Sequence, residues 1–140
     1  MSPATKLCLA SSGVFLLFGM FAGILKYRGV MTAPDHRAPV YIDVCHRAAL
    51  LYSFALLVMG KLIEYSPYSS SVQLVLTGVP LFFFALAVIT YLRLGLENKT
   101  ENQFTERNFG TTWMVYALIV GELGGLGGIV WGFFKTQILP

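Results

Sequence analysis

Charged side chains are scarce in this sequence. Only 12% of its 140 residues are Asp, Glu, Lys or Arg, about half the share of an ordinary soluble domain. A water-exposed surface of the usual kind is therefore excluded. Cysteine is scarcer still, with two residues, so a disulfide-stapled scaffold is excluded as well. Cys8 and Cys45 fall at opposite ends of their expected helices, across the membrane from each other, too far apart for a bridge within one subunit. The sequence shows no zinc-ligand spacing, internal repeat, low-complexity tract or strong catalytic motif.

What fills the chain instead is apolar: 56% of it is hydrophobic. Four runs, at residues 7–25, 44–63, 72–92 and 111–134, reach the length needed to cross a bilayer as a helix, about 20 residues each. The connections between them are too short for a soluble domain. The expectation is all-α: one integral membrane domain of four transmembrane helices. The first run carries only Lys6 ahead of it and no A-x-A-like site after it, so it reads as a retained span rather than a signal peptide. Lys6, Lys61 and Lys135 lie on one side of the membrane. Lys26, Arg28, Arg37, Arg47, Arg93, Lys99 and Arg107 lie on the other. That asymmetry predicts both termini outside the cytoplasm. The net charge of +3 belongs to this basic membrane face and implies no nucleic-acid partner.

The helix faces carry more information than their lengths. Helix four bears Gly121, Gly125, Gly128 and Gly132 along one stripe, and helix one bears Ser12, Gly19, Gly23 and Lys26. Glycine stripes let backbones approach closely in lipid. They serve helix packing inside a subunit or a seam between subunits, and two such stripes predict a homo-oligomer. Helix two gathers His46, Ala49, Ser53, Gly60 and Glu64 on one face, and helix three gathers Gln73, Thr77, Pro80, Ala87 and Tyr91. Both faces should point inward. Topology alone sets His46 and Tyr91 at similar depth.

Glu122 stands alone in the fourth run, inside VGELGGLGGIVWG, far from any other charge. A charge at mid-bilayer costs at least about 2.5–3.5 kcal/mol, so it faces the interior, is paired, or is protonated. His46 has two readings: an interfacial side chain beside Asp43 and a snorkelling Arg47, or an axial ligand to a haem or another metal. Tyr91 reads as an aromatic-belt residue or a site residue. His36, in the APDHRAP loop, reads as solvated. Lys26, Arg28, Arg37, Arg47 and Arg93 could hold carboxylates, or only signal orientation.

Three phrases in order carry a resemblance: CHRAALLYSFALL at residues 45–57, VITYLRL around Tyr91, and Asn102–Phe104 within KTENQFTERNFG. Together with the topology they resemble the small four-helix membrane isomerases typified by styrene oxide isomerase, with hydroxylaminobenzene mutase as a relative. About half of the chain is covered, and no single motif is specific. The resemblance implies a trimer in a bacterial inner membrane, with haem b bound between subunits and His46 as its iron ligand. It implies Lewis-acid opening of an epoxide or a related small, hydrophobic, oxygenated substrate, then a hydride shift to an aldehyde. Tyr91 would sit beside the substrate. Arg28, Arg47 and Arg93 would be the partners for the propionates. Two departures stand out. Tyr52 replaces the asparagine that the family carries six residues beyond its histidine, and Glu122 has no counterpart there; each is carried as a candidate catalytic residue. The competing class is a non-enzymatic small membrane subunit packed in a larger complex.

Overall fold

A computed structural model describes residues 1–139. They form four helices: α1 (Pro3–Thr32), α2 (Val40–Glu64), α3 (Ser70–Glu97) and α4 (Phe109–Gln137). All four are long and apolar enough to cross a membrane. Each overruns its apolar stretch at both ends. The 30 residues of α1 extend roughly 45 Å at 1.5 Å per residue, the thickness of a bilayer with its headgroup layers.

Local chemistry sets the boundaries. Ser2 caps α1 by accepting the Thr5 amide at 3.2 Å, with Pro3 in the first helical turn. Asn98 ends α3 in the left-handed conformation, φ 46°, one of the few residue types that take it readily. Asn108 opens α4 with a reciprocal box: its side chain accepts the Thr111 amide at 3.0 Å, and Thr111 Oγ1 accepts the Asn108 amide at 2.9 Å.

α2 and α3 form the middle of the bundle. α1 lies against α2 and touches α3, while α4 lies against α3 and touches α2. Among the described residues α1 and α4 have no Cα atoms within 8 Å of each other. Leu56, Met59, Ile63, Phe84, Val88 and Ile129 fill the centre. The inward faces read from the sequence are largely correct: Ala49, Ser53, Gly60, Gln73, Thr77, Pro80 and Ala87 are buried, whereas Glu64 is exposed beside Lys61. The outer surface is apolar. Leu17, Val120 and Leu123 are each about 70% exposed, a shell that only lipid or a membrane partner can cover.

The glycine stripes correct one expectation. Both lie inside the subunit. Gly19 faces Leu50 and Gly23 faces the His46 ring, while Gly121, Gly125, Gly128 and Gly132 face Phe83, Pro80, Leu76 and Tyr68. The reason is mutual shape: Phe83, Leu76 and Tyr68 are bulky knobs, and the glycines are the holes that receive them. A seam between copies cannot use the same surface. Gly124 and Gly127 on α4, Gly13 on α1 and Gly78 on α3 have nothing within 4 Å of where a Cβ would stand.

Candidate functional site

The α3–α4 connection folds back over the bundle and partly covers a half-open cavity of about 810 Å³. Its walls come from the last turns of α3 and the first turns of α4. Leu86, Leu94, Met114, Val115 and Leu118 make it apolar, and Thr90, Tyr91, Asn102, Gln103 and Thr111 add hydroxyls and amides. Phe104 lines it too. Arg93, Lys99 and Glu106 line it as well, so the cavity is apolar toward the bundle and polar toward the loop, a make-up that can hold a small molecule. Tyr91 and Asn102–Phe104, far apart in sequence, meet here.

One clasp holds the roof. Tyr41, in the first turn of α2, accepts the Gln103 amide at 2.6 Å, and its ring stacks on Tyr91 with centroids 6.0 Å apart. The same side chain thus fixes both a wall and the cover. Tyr41→Phe keeps the ring and removes the acceptor. A hydrogen bond of this kind contributes about 1 kcal/mol, so exchange of the Gln103 amide with solvent should quicken roughly five- to tenfold. Unchanged exchange in that variant would show the clasp to be irrelevant to the roof.

His46 lies elsewhere. Its Nδ1 is 2.8 Å from the Gly19 carbonyl oxygen, and its ring occupies the space left by Gly23, where a Cβ would come within 2.9 Å of Cε1. A carbonyl only accepts, so Nδ1 is the donor in this contact, and Nε2 is the ring nitrogen left for another partner. His46 faces α1, whereas Tyr91 faces Tyr41 and the cavity. Similar depth does not make them neighbours within one subunit.

Tyr52 stacks flat on Phe84 at 4.1 Å and meets Phe15 edge-on at 6.3 Å. It belongs to the core, outside the lining of the cavity. Glu122 is half-buried; its Oε1 is shielded from solvent and has no hydrogen-bond partner.

The basic residues are partly engaged. Asp43 receives Lys26 at 2.5 Å and Arg47 at 2.8 Å, and Arg93 pairs with Glu97 at 3.1 Å. Arg28 is exposed and has no ion-pair partner among the described residues. His36 is exposed in its loop, as read from the sequence. Among the described residues no three His, Cys, Asp or Glu side chains gather as metal ligands. Tyr41 is a site residue that sequence reasoning missed, although its partner Gln103 lies in the Asn102–Phe104 phrase singled out there; the contact depends on how the loop folds back, which no periodic signal encodes.

The fold and site define a class: a four-helix membrane bundle with a roofed cavity between α3 and α4. No protein-family model matches the chain, and neither does any curated protein or solved structure.

Proposed function

We propose that the chain is a membrane isomerase acting on a small, hydrophobic, oxygenated molecule, an epoxide or its chemical kin, with haem b as its cofactor. The observation that carries this reading is the state of His46. Donation from Nδ1 to the Gly19 carbonyl fixes the ring, the second contact by which metal-binding histidines are normally oriented, and a neutral ring would then offer Nε2 as the ligand atom. The donor set fits a group held by one axial imidazole. Of the three arginines that the resemblance assigns to the propionates, Arg28 is the one without a carboxylate partner among the described residues, since Arg47 and Arg93 pair with carboxylates of their own helices. Haem bound at His46 would supply a Lewis-acidic iron for an oxygen atom.

The remaining work falls to the chain itself. The Tyr91 hydroxyl orients the substrate oxygen by a hydrogen bond. Leu86, Met114 and Leu118 exclude water, which would otherwise capture a reactive intermediate. Asn102–Phe104 close the site from the loop side. His46 and this cavity lie on different faces of one subunit, so the proposal includes a homo-oligomer, a trimer by the same resemblance, in which the site is completed between copies.

The second reading, a non-enzymatic subunit of a larger membrane complex, is favoured by the outward face of α4, where Gly124 and Gly127 lie open between the exposed Trp131 and Tyr116. One experiment separates the two. Protein produced with haem available and purified in detergent should show a Soret band that His46→Ala abolishes. Tyr91→Phe should keep the band and lose activity on an aryl epoxide by roughly a hundredfold. A wild-type protein without Soret absorbance would overturn the cofactor and put the subunit reading first.

A further inference from the structure

The α4 side of the α3–α4 connection carries a second hollow, of about 400 Å³, which the proposed reaction does not use. Phe104, Arg107, Thr111, Thr112, Val115 and Tyr116 line it. The charged residues divide between the two sites. Arg93, Lys99 and Glu106 line the larger cavity, whereas Arg107 is the one charged residue lining the smaller. Arg107 is exposed and pairs with no carboxylate among the described residues, its neighbour Glu106 included. The hydroxyls of Thr77, Thr90 and Thr136 bond back to the carbonyl four residues earlier; that of Thr112 makes no such bond among the described residues. The hollow thus offers an unengaged guanidinium and hydroxyl, with no carboxylate beside them. That set suits a phosphate.

The hollow also continues into an apolar track. Thr112, Tyr116, Val120, Leu123 and Gly127 follow one another down α4 at intervals of three or four residues, a single stripe. It lies opposite the glycine face that receives Phe83, Pro80, Leu76 and Tyr68. Tyr116, Val120 and Leu123 are exposed, and a Cβ on Gly127 would meet nothing within 4 Å. From Thr112 to Gly127 the stripe runs about 22 Å at 1.5 Å per residue, longer than the hydrocarbon of one leaflet. Phe109 and Trp113, both exposed, join Tyr116 as an aromatic rim at the level where headgroups lie. A cationic hollow at that level, opening onto an apolar track, has the outline of a phospholipid.

We infer that this hollow binds an anionic phospholipid, its phosphate on the Arg107 guanidinium and the Thr112 hydroxyl and one acyl chain along Tyr116, Val120 and Leu123. Charge selects the class. A zwitterionic head brings its own cation to the guanidinium, and the lining holds no carboxylate to receive it. A second copy of the chain fits the face less well. It would set its own Arg107 at the same membrane depth, like charge beside like charge, with nothing in the hollow to offset the repulsion. His46 and the larger cavity's charged residues take no part, so the inference stands independently of the haem reading.

The test is native mass spectrometry of the full chain released from nanodiscs that hold phosphatidylglycerol and phosphatidylcholine in equal amounts, with identical acyl chains. The wild type should retain phosphatidylglycerol over phosphatidylcholine by at least about fivefold. Arg107→Gln should bring the ratio to within about twofold of one. Arg107 is exposed, so this variant should fold. Arg37→Gln removes the same charge from the first loop, on the same side of the membrane but outside the hollow, and should keep the preference. Equal retention in the wild type, or a preference that survives Arg107→Gln, would overturn the inference. A preference that Arg37→Gln lowers just as far would reveal only the general attraction of a basic membrane face, and would overturn it too. An oligomer that Gly127→Leu splits, in a wild type without lipid preference, would give the face to a second copy instead.

Discussion

Replacing Gly125 by leucine should lower the unfolding temperature of the bundle in detergent by roughly 5–15 °C, while the same change at Gly127 should leave it nearly unaltered. The two glycines are neighbours in sequence and opposites in space. A Cβ on Gly125 would run into the Pro80 ring and stand 2.8 Å from the Leu76 carbonyl oxygen. Pro80 has no amide hydrogen, so that carbonyl lacks its normal helical donor, and α4 comes close at this point. Neither a proline ring nor a helix backbone can move aside for a side chain. At Gly127 nothing lies within 4 Å, and leucine only adds to the lipid face. Thermal unfolding followed by circular dichroism decides the matter. A stable Gly125→Leu protein would mean that α4 does not seat on α3 through this stripe. A Gly127→Leu protein that keeps its melting point but loses its oligomeric state would place a subunit contact on the outer face.

Gly95 gives the second large effect. A Cβ there would stand 2.6 Å from the Ile42 amide nitrogen and 2.7 Å from its Cδ1, where the end of α3 crosses the start of α2. Even alanine should cost about 1–3 kcal/mol by overpacking, despite the gain in helix propensity of about 1 kcal/mol that alanine brings. Gly19→Ala is the comparison. There the two nearest atoms belong to the Leu50 side chain, Cδ2 at 2.7 Å and Cγ at 3.0 Å, which can change rotamer, while the backbone comes no closer than the Leu50 amide nitrogen at 3.2 Å. The Gly95 variant should therefore melt several degrees below the Gly19 variant. The reverse order would contradict the crossing described for α2 and α3.

The number and order of the helices were legible because four apolar runs separated by turn residues permit no other reading. Their ends were not. Sequence reading closed the first helix at residue 25, but the chain stays helical to Thr32, since a headgroup layer supports polar helical turns as readily as the core supports apolar ones. Periodicity identified the buried face of α3, from Gln73 through Thr77 and Pro80 to Ala87. It also identified both glycine stripes, though not which helix each one receives. His46 shows why. Its place on the polar side of α2 follows from a period of 3.6, whereas the choice between α1 and α3 as its neighbour depends on how three helices pack at once. Tyr91 and Asn102–Phe104 share a cavity only because the loop folds back onto Tyr41, a contact between residues 62 positions apart. Glu122 was conspicuous from the start, because an isolated carboxyl in an apolar run needs no structure to be noticed.

The missing contact between α1 and α4 bears on how the protein is made. Every helix lies against the one synthesised just before it, and no interface waits for the first and last helices to meet. As each span leaves the ribosome its docking surface is already in the membrane, so assembly can run from the N-terminus in step with translation. Low contact order of this kind favours fast pairing. The last helix to arrive is α4, which buries the least of its surface and adds the wall that completes the cavity. A nascent chain stalled before residue 109 should already hold α1 to α3 in their final arrangement, with Glu122 and half of the site still to come.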